Sequence, residues 1–145
     1  MATKKYIMHI EENMITDFQN NMLFDNGFSS PEELAIYRNY DPYRPGCNLE
    51  RRFYVFEEGP GYVHCEYEML DLLMEVAYGA EGRNWKLLQQ CLLTGEEPSL
   101  DGKEMCPFYA DELTLLTPDG IEETFYFDVS AHMLSVDNDS FNDFG

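Results

Sequence analysis

Residues 66–95, EYEMLDLLMEVAYGAEGRNWKLLQQCLLTG, carry the strongest helix-period signal in the chain, and the fold expected of it turns on how they are read. Placed 100° apart, Met69, Leu70, Leu72, Leu73, Met74, Val76 and Ala77 share one apolar arc, and Glu68, Asp71 and Glu75 line up opposite. Gly79 and Gly82 interrupt the pattern. Asn84 then suits the cap of a second helix carrying Trp85, Leu87, Leu88, Cys91 and Leu92, which Gly95 ends and Pro98 prevents from resuming. The stretch is therefore predicted to be a helix pair, apolar inside and acidic outside.

Upstream, residues 4–10 read as a strand with apolar side chains on both faces, and residues 11–25 as a helix closed by Gly27. Ser30-Pro31-Glu32-Glu33 is a helix start, with a serine cap, proline in the first turn and acid at the positive end of the dipole. That helix runs to about Tyr40, and the proline- and glycine-bearing residues 41–46 form a loop. Residues 51–57 (RRFYVFE) and 62–66 read as strands of a hairpin turned by Glu58-Gly59-Pro60-Gly61.

Downstream, residues 96–110 read as a polar connection. Leu113 and Leu115 match Phe125, Phe127 and Val129 across the turn Thr117-Pro118-Asp119-Gly120, the best hairpin in the chain. Its other face carries Glu112, Thr114, Leu116, Glu122, Thr124, Tyr126 and Asp128. The expected architecture is α+β, in the order β-α-α-β-β-α-α-β-β: one domain over residues 1–130, with an antiparallel-rich sheet of about five strands and four helices packed on it. Residues 131–145, acidic and without periodicity at their end, are expected to be a mobile tail.

Charge sets the functional classes. The 145 residues hold 28 Asp and Glu against 9 Lys and Arg, a net −19, and every cation precedes residue 104. Such a surface repels nucleic acid and anionic membranes and suits a cationic partner. No apolar run reaches membrane-spanning length and the first residues hold no signal-peptide core, so a cytoplasmic chain with reduced cysteines is expected.

No catalytic, metal or cofactor motif stands out. Cys47, Cys65, Cys91 and Cys106 lack zinc spacing, and alternation along a strand would send His64 and Cys65 to opposite faces. Asp137-x-Asp139 opens like a calcium loop, but Phe141 takes the next ligand position. The glycines at 59–61 lack the lysine of a phosphate loop. A thiol–imidazole enzyme built from Cys65, Cys91 or Cys106 with His9, His64 or His132 is an alternative that needs proximity the sequence does not display.

The acidic faces are the remaining signal. Glu68, Asp71, Glu75, Glu112, Glu122, Tyr126 and Asp128 are the candidate partner-binding residues, exposed by periodicity and lacking a basic neighbour at helical spacing. The reading is a non-enzymatic inhibitor that needs no cofactor and blocks the cationic site of a nucleic-acid-binding protein or nuclease by imitating nucleic acid. Antirestriction and anti-CRISPR proteins are small and acidic in the same way, a likeness of size and charge that covers no motif. An immunity protein capping a basic nuclease toxin is an alternative with the same electrostatics.

Overall fold

A computed structural model describes residues 16–40, 44–55, 62–131 and 133. The expected strand at 4–10, the turn at 58–61 and the tail from 134 onward lie outside the described residues, and the helix expected over 11–25 begins only at Asp17, behind an extended Thr16 cap. Three α-helices and four strands follow in the order α1 (Asp17–Asp25), α2 (Pro31–Tyr40), β1 (Phe53–Tyr54), α3 (Tyr62–Tyr78), a 3-10 turn (Gly79–Asn84), β2 (Lys86–Pro98), β3 (Met105–Leu116) and β4 (Glu122–Asp128). The sheet order is β1-β4-β3-β2, with β1 parallel to β4 and the other pairs antiparallel.

The two short helices are fixed by their caps. Thr16 Oγ1 accepts from the Gln19 amide and Gln19 Oε1 accepts from the Thr16 amide, each at 3.1 Å, which satisfies two otherwise orphaned donors at the start of α1. Asn26 ends α1 and holds β1 in place: its side chain donates to Met22 O (2.9 Å) and Tyr54 O (3.1 Å) and accepts from Tyr54 N (2.7 Å). Ser30 Oγ accepts from the Glu33 amide at 3.1 Å, so the Ser30-Pro31 start expected for α2 is where the helix begins.

Two corrections to the expected fold come from residues 62–98. Residues 62–66 are the opening of α3, not a strand, and α3 buries Cys65, Met69, Leu70, Leu72, Leu73, Met74, Val76 and Ala77 without gaps. Tertiary burial outweighs the local strand preference of Tyr62 and Val63. The expected second helix is instead β2, in register with β3 from Lys86↔Leu116 to Pro98↔Met105. A short apolar run such as LLQQCLL fits a helix or a strand equally well, and the available partner strand decides. The predicted polar connection at 96–110 is the far half of this hairpin and its turn. The described chain thus has four strands and three helices in a mixed sheet, not five and four in the expected order.

The C-terminal hairpin is as periodicity predicts. Leu113 pairs with Phe125, and Leu113, Leu115, Phe125, Phe127 and Val129 are wholly buried beneath α3. Met22, Leu23, Phe28, Leu34 and Ala35 of the α1–α2 region join this core, so the helices cover one sheet face.

Gly46 closes the loop before β1. It adopts φ +83°, accepts from the Tyr126 amide at 2.8 Å, and a Cβ there would overlap the Phe53 ring. Gly46→Ala is therefore expected to cost at least about 1–2 kcal/mol, from left-handed backbone strain before any overlap is counted. Urea denaturation measures it, and an unchanged midpoint would contradict the packing of Phe53 on this loop.

Candidate functional site

The acidic arc of α3 divides on inspection. Glu68 is half-exposed; its carboxylate lies 3.9 Å from His64 Nε2, and its carbonyl accepts from Gln19 Nε2 at 3.1 Å. Asp71 accepts the indole N–H of Trp85 at 2.8 Å, and Trp85 packs edge-on against Tyr67 with centroids 5.6 Å apart. Glu75 is buried and ion-paired with Arg83 of the 3-10 turn. Its expected exposure is corrected. The cation answering it comes from beyond helical spacing, because Gly79 at φ +76° ends α3 and folds the chain back.

The hairpin face divides in the same way. Glu122 is exposed, and Glu112 faces Tyr126 across the strands. A hydrogen bond to the Glu112 carboxylate, and burial after it, hold the Tyr126 phenol above its ordinary pKa. Asp128 is buried, again against expectation. Arg52 Nε donates to Asp128 Oδ2 at 2.8 Å, Nη1 to Leu49 O at 2.8 Å, and Nη2 to both Glu97 carboxylate oxygens at 2.8 Å. The guanidinium also lies 4.8 Å from the Phe108 ring centroid. Arg52 thus ties the β1 edge, the end of β4 and the far half of the β2–β3 hairpin together.

A third ion pair was not anticipated. Arg38 is fully buried, paired with Glu123, and donates through Nη1 to Pro45 O (3.2 Å) and Cys47 Sγ (3.1 Å) while lying 4.8 Å from the Phe125 ring centroid. Its partners Cys47 and Glu123 line a cleft of about 380 Å³, with Arg44, Tyr78, Thr117 and Ile121 among the others. Burial pushes the Tyr78 phenol up to about 12, and its hydroxyl donates to Asp119 at 3.0 Å. Nothing in the local sequence pattern signals this cluster, whose members Arg38 and Glu123 are 85 residues apart.

A buried carboxyl also escaped the sequence reading. Glu66 in α3 is solvent-inaccessible, and neither carboxylate oxygen accepts a hydrogen bond. Burial first, then the nearby charge of Asp111 on β3, push its pKa up to about 10. Asp111 itself is buried and accepts from Gln90 Nε2 at 3.1 Å.

The cysteines do not converge. Cys47 is half-buried in the loop before β1, Cys65 is in the core, and Cys91 and Cys106 are exposed on β2 and β3; none of the four is in a disulfide. Cys91 faces solvent on a strand, so its expected packing role on a helix is corrected. His9 and His132, named for a thiol–imidazole pair, lie outside the described side chains. Among the described residues no group of three or more His, Cys, Asp or Glu is arranged to hold a metal ion. None of the helices among those residues is long and apolar enough to cross a membrane.

Among the described residues the exposed carboxylates are Asp17, Asp25, Glu50, Glu96, Asp101, Glu104 and Glu122, and Glu68, Asp71 and Glu112 are among the half-exposed ones. Glu96, Asp101 and Glu104 cluster at the end of the β2–β3 hairpin. That turn is ordered: Asp101 accepts from the Lys103 amide at 3.0 Å, and hydrogen bonds from Ser99 and Lys103 hold its pKa below the ordinary value. Comparison with protein-family models, with curated proteins and with solved structures finds no match to this chain.

Proposed function

We propose that this chain is a non-enzymatic, cytoplasmic acidic binding protein that occupies the cationic, nucleic-acid-binding surface of another protein. The observation that carries the reading is where its cations go. Arg38 and Arg52 are buried behind Glu123, Asp128 and Glu97, and Arg83 is spent on Glu75. Outside these pairs the sequence supplies only Lys4, Lys5, Arg44, Arg51, Lys86 and Lys103 against every other carboxylate of a net −19 chain. A surface so depleted of positive charge steers cationic partners toward it and repels phosphate.

The partner-binding set follows from exposure. Glu68, Asp71, Glu112, Glu122 and Tyr126 stay in the proposal, and Glu96, Asp101 and Glu104 join them. Glu75 and Asp128 act inside the fold, as partners of Arg83 and Arg52. The partner is to be recovered by affinity capture on the full chain, and its association rate measured against salt and competing duplex DNA.

Association is expected to slow by about 10-fold or more as ionic strength rises and charge steering is lost. Duplex DNA is expected to compete for the same site. Glu112→Lys with Glu122→Lys, both on accessible positions, should weaken binding while leaving the circular dichroism spectrum intact. Binding that ignores salt, DNA and the double reversal would sink the proposal.

A further inference from the structure

Among the described residues nothing covers the outer edge of β2. Sheet edges are ordinarily protected by charge, proline, shortness or a covering segment, because their free N–H and C=O groups recruit another strand. β2 runs from Lys86 to Pro98 and, among the described residues, pairs only with β3. Between Leu87 and Gly95 it carries no charged side chain. Leu88 and Leu92 are 49% and 43% exposed, and Gln89, Gln90 and Cys91 are exposed between them. The bulge between Leu87 and Gln89 tips one end of the strand without adding charge to it.

The exposed run is nearly its own mirror. Read outward from Gln90, the sequence is Gln89 against Cys91 and then Leu88-Leu87 against Leu92-Leu93. Antiparallel pairing of two such strands about a two-fold axis at Gln90 places Gln89 opposite Cys91 of the second copy. It also lays the two leucines at one end of each strand along the two leucines at the other end of its mate. The charges flanking the run are opposite in sign, Lys86 at one end and Glu96 at the other. Antiparallel pairing sets the basic end of each copy beside the acidic end of its mate, whereas parallel pairing stacks like on like.

We infer that two copies of this chain associate edge to edge through β2, antiparallel about Gln90, to form one continuous sheet across the two-fold axis. The occupant of the edge is a second copy because the apolar run and its flanking charges complement themselves. A C2 interface requires this of a surface. The inference is independent of the proposed function and responds oppositely to salt. Two chains of net −19 repel each other, so screening strengthens their association while it weakens capture of a cationic partner.

The test is the mass of the full chain in solution by sedimentation equilibrium, across protein concentration and salt. The expected result is a species of twice the 16.9 kDa chain mass whose population grows with salt. Leu92→Lys, at a position already exposed in the single chain, should raise the dissociation constant at least about 100-fold by burying two unpaired ammonium groups per dimer. It should leave the circular dichroism spectrum unchanged. Gln89→Cys should cross-link to Cys91 of the second copy with a short thiol-bridging reagent, and adding Cys91→Ser should abolish the link. A chain mass of 16.9 kDa at every salt and concentration overturns the inference, whether or not a segment of the same chain covers β2. So does a dimer that survives Leu92→Lys and yields no Gln89→Cys link, since its interface is then elsewhere.

Discussion

Arg38→Ala is expected to lower the free energy of unfolding by about 3–5 kcal/mol, the usual cost of removing one member of a buried pair. Arg38 has no solvent exposure, and its removal strands Glu123 while releasing the Pro45 carbonyl and the Cys47 thiol. The pair's net contribution is a separate matter, because desolvating both charges costs much of what their attraction returns. Arg38→Met combined with Glu123→Leu should therefore be far milder than Arg38→Ala. Chemical denaturation of the three proteins measures this. If the double variant is as unstable as the single one, the loss comes from packing and not from a stranded charge.

The second large effect has the opposite sign. Glu66→Gln is expected to stabilise the fold by roughly 2–3 kcal/mol at pH 7, because an amide has no proton to lose in the unfolded chain. The Glu66 carboxyl titrates near 10 when folded, held there by burial and by Asp111, against about 4.3 in an unfolded chain. A folded pKa above the unfolded one favours folding fully below about pH 4.3. That contribution drains away as pH rises, until the folded group itself ionises near 10. The gap between variant and wild type should accordingly widen from pH 5 to pH 8. Asp111 faces the same carboxyl, and Gln at 66 can donate to Asp111 as the protonated glutamate does. A gap that stays flat across this range would show Glu66 to be ionised in the folded protein.

What could be read from the sequence was local. The Ser30-Pro31 helix start, the apolar arc of α3 and the alternation of 113–129 each rest on interactions within a few residues, and each is present in the structure. Residues 86–95 failed because leucine, glutamine and lysine favour helix in isolation and strand only once β3 lies alongside. The site was partly legible for a different reason. Periodicity sends a carboxylate outward by default, which suits Glu122 and Glu68. It fails for Asp128, whose arginine lies 76 residues away, and it could not foresee the buried Arg38–Glu123 pair, separated by 85 residues. It fails for Glu75 as well: Gly79 ends α3 and folds the chain back, which brings Arg83 onto a carboxylate expected to face solvent.

The parallel pairing of β1 with β4 bears on how the protein is made. Phe53 meets Phe127 and Arg52 meets Asp128, so the central core and its buried ion pairs join segments far apart in the chain. Such long closures are slow, since loop entropy is lost before the contacts form. At ribosomal rates of about 5–20 residues per second, synthesis of the intervening segment takes roughly 4–15 s. For the later part of that interval α3 has been made without the β4 phenylalanines that it will cover. The nascent chain thus leaves this apolar surface uncovered until β4 (Glu122–Asp128) is translated, and its folding is set by the arrival of that strand.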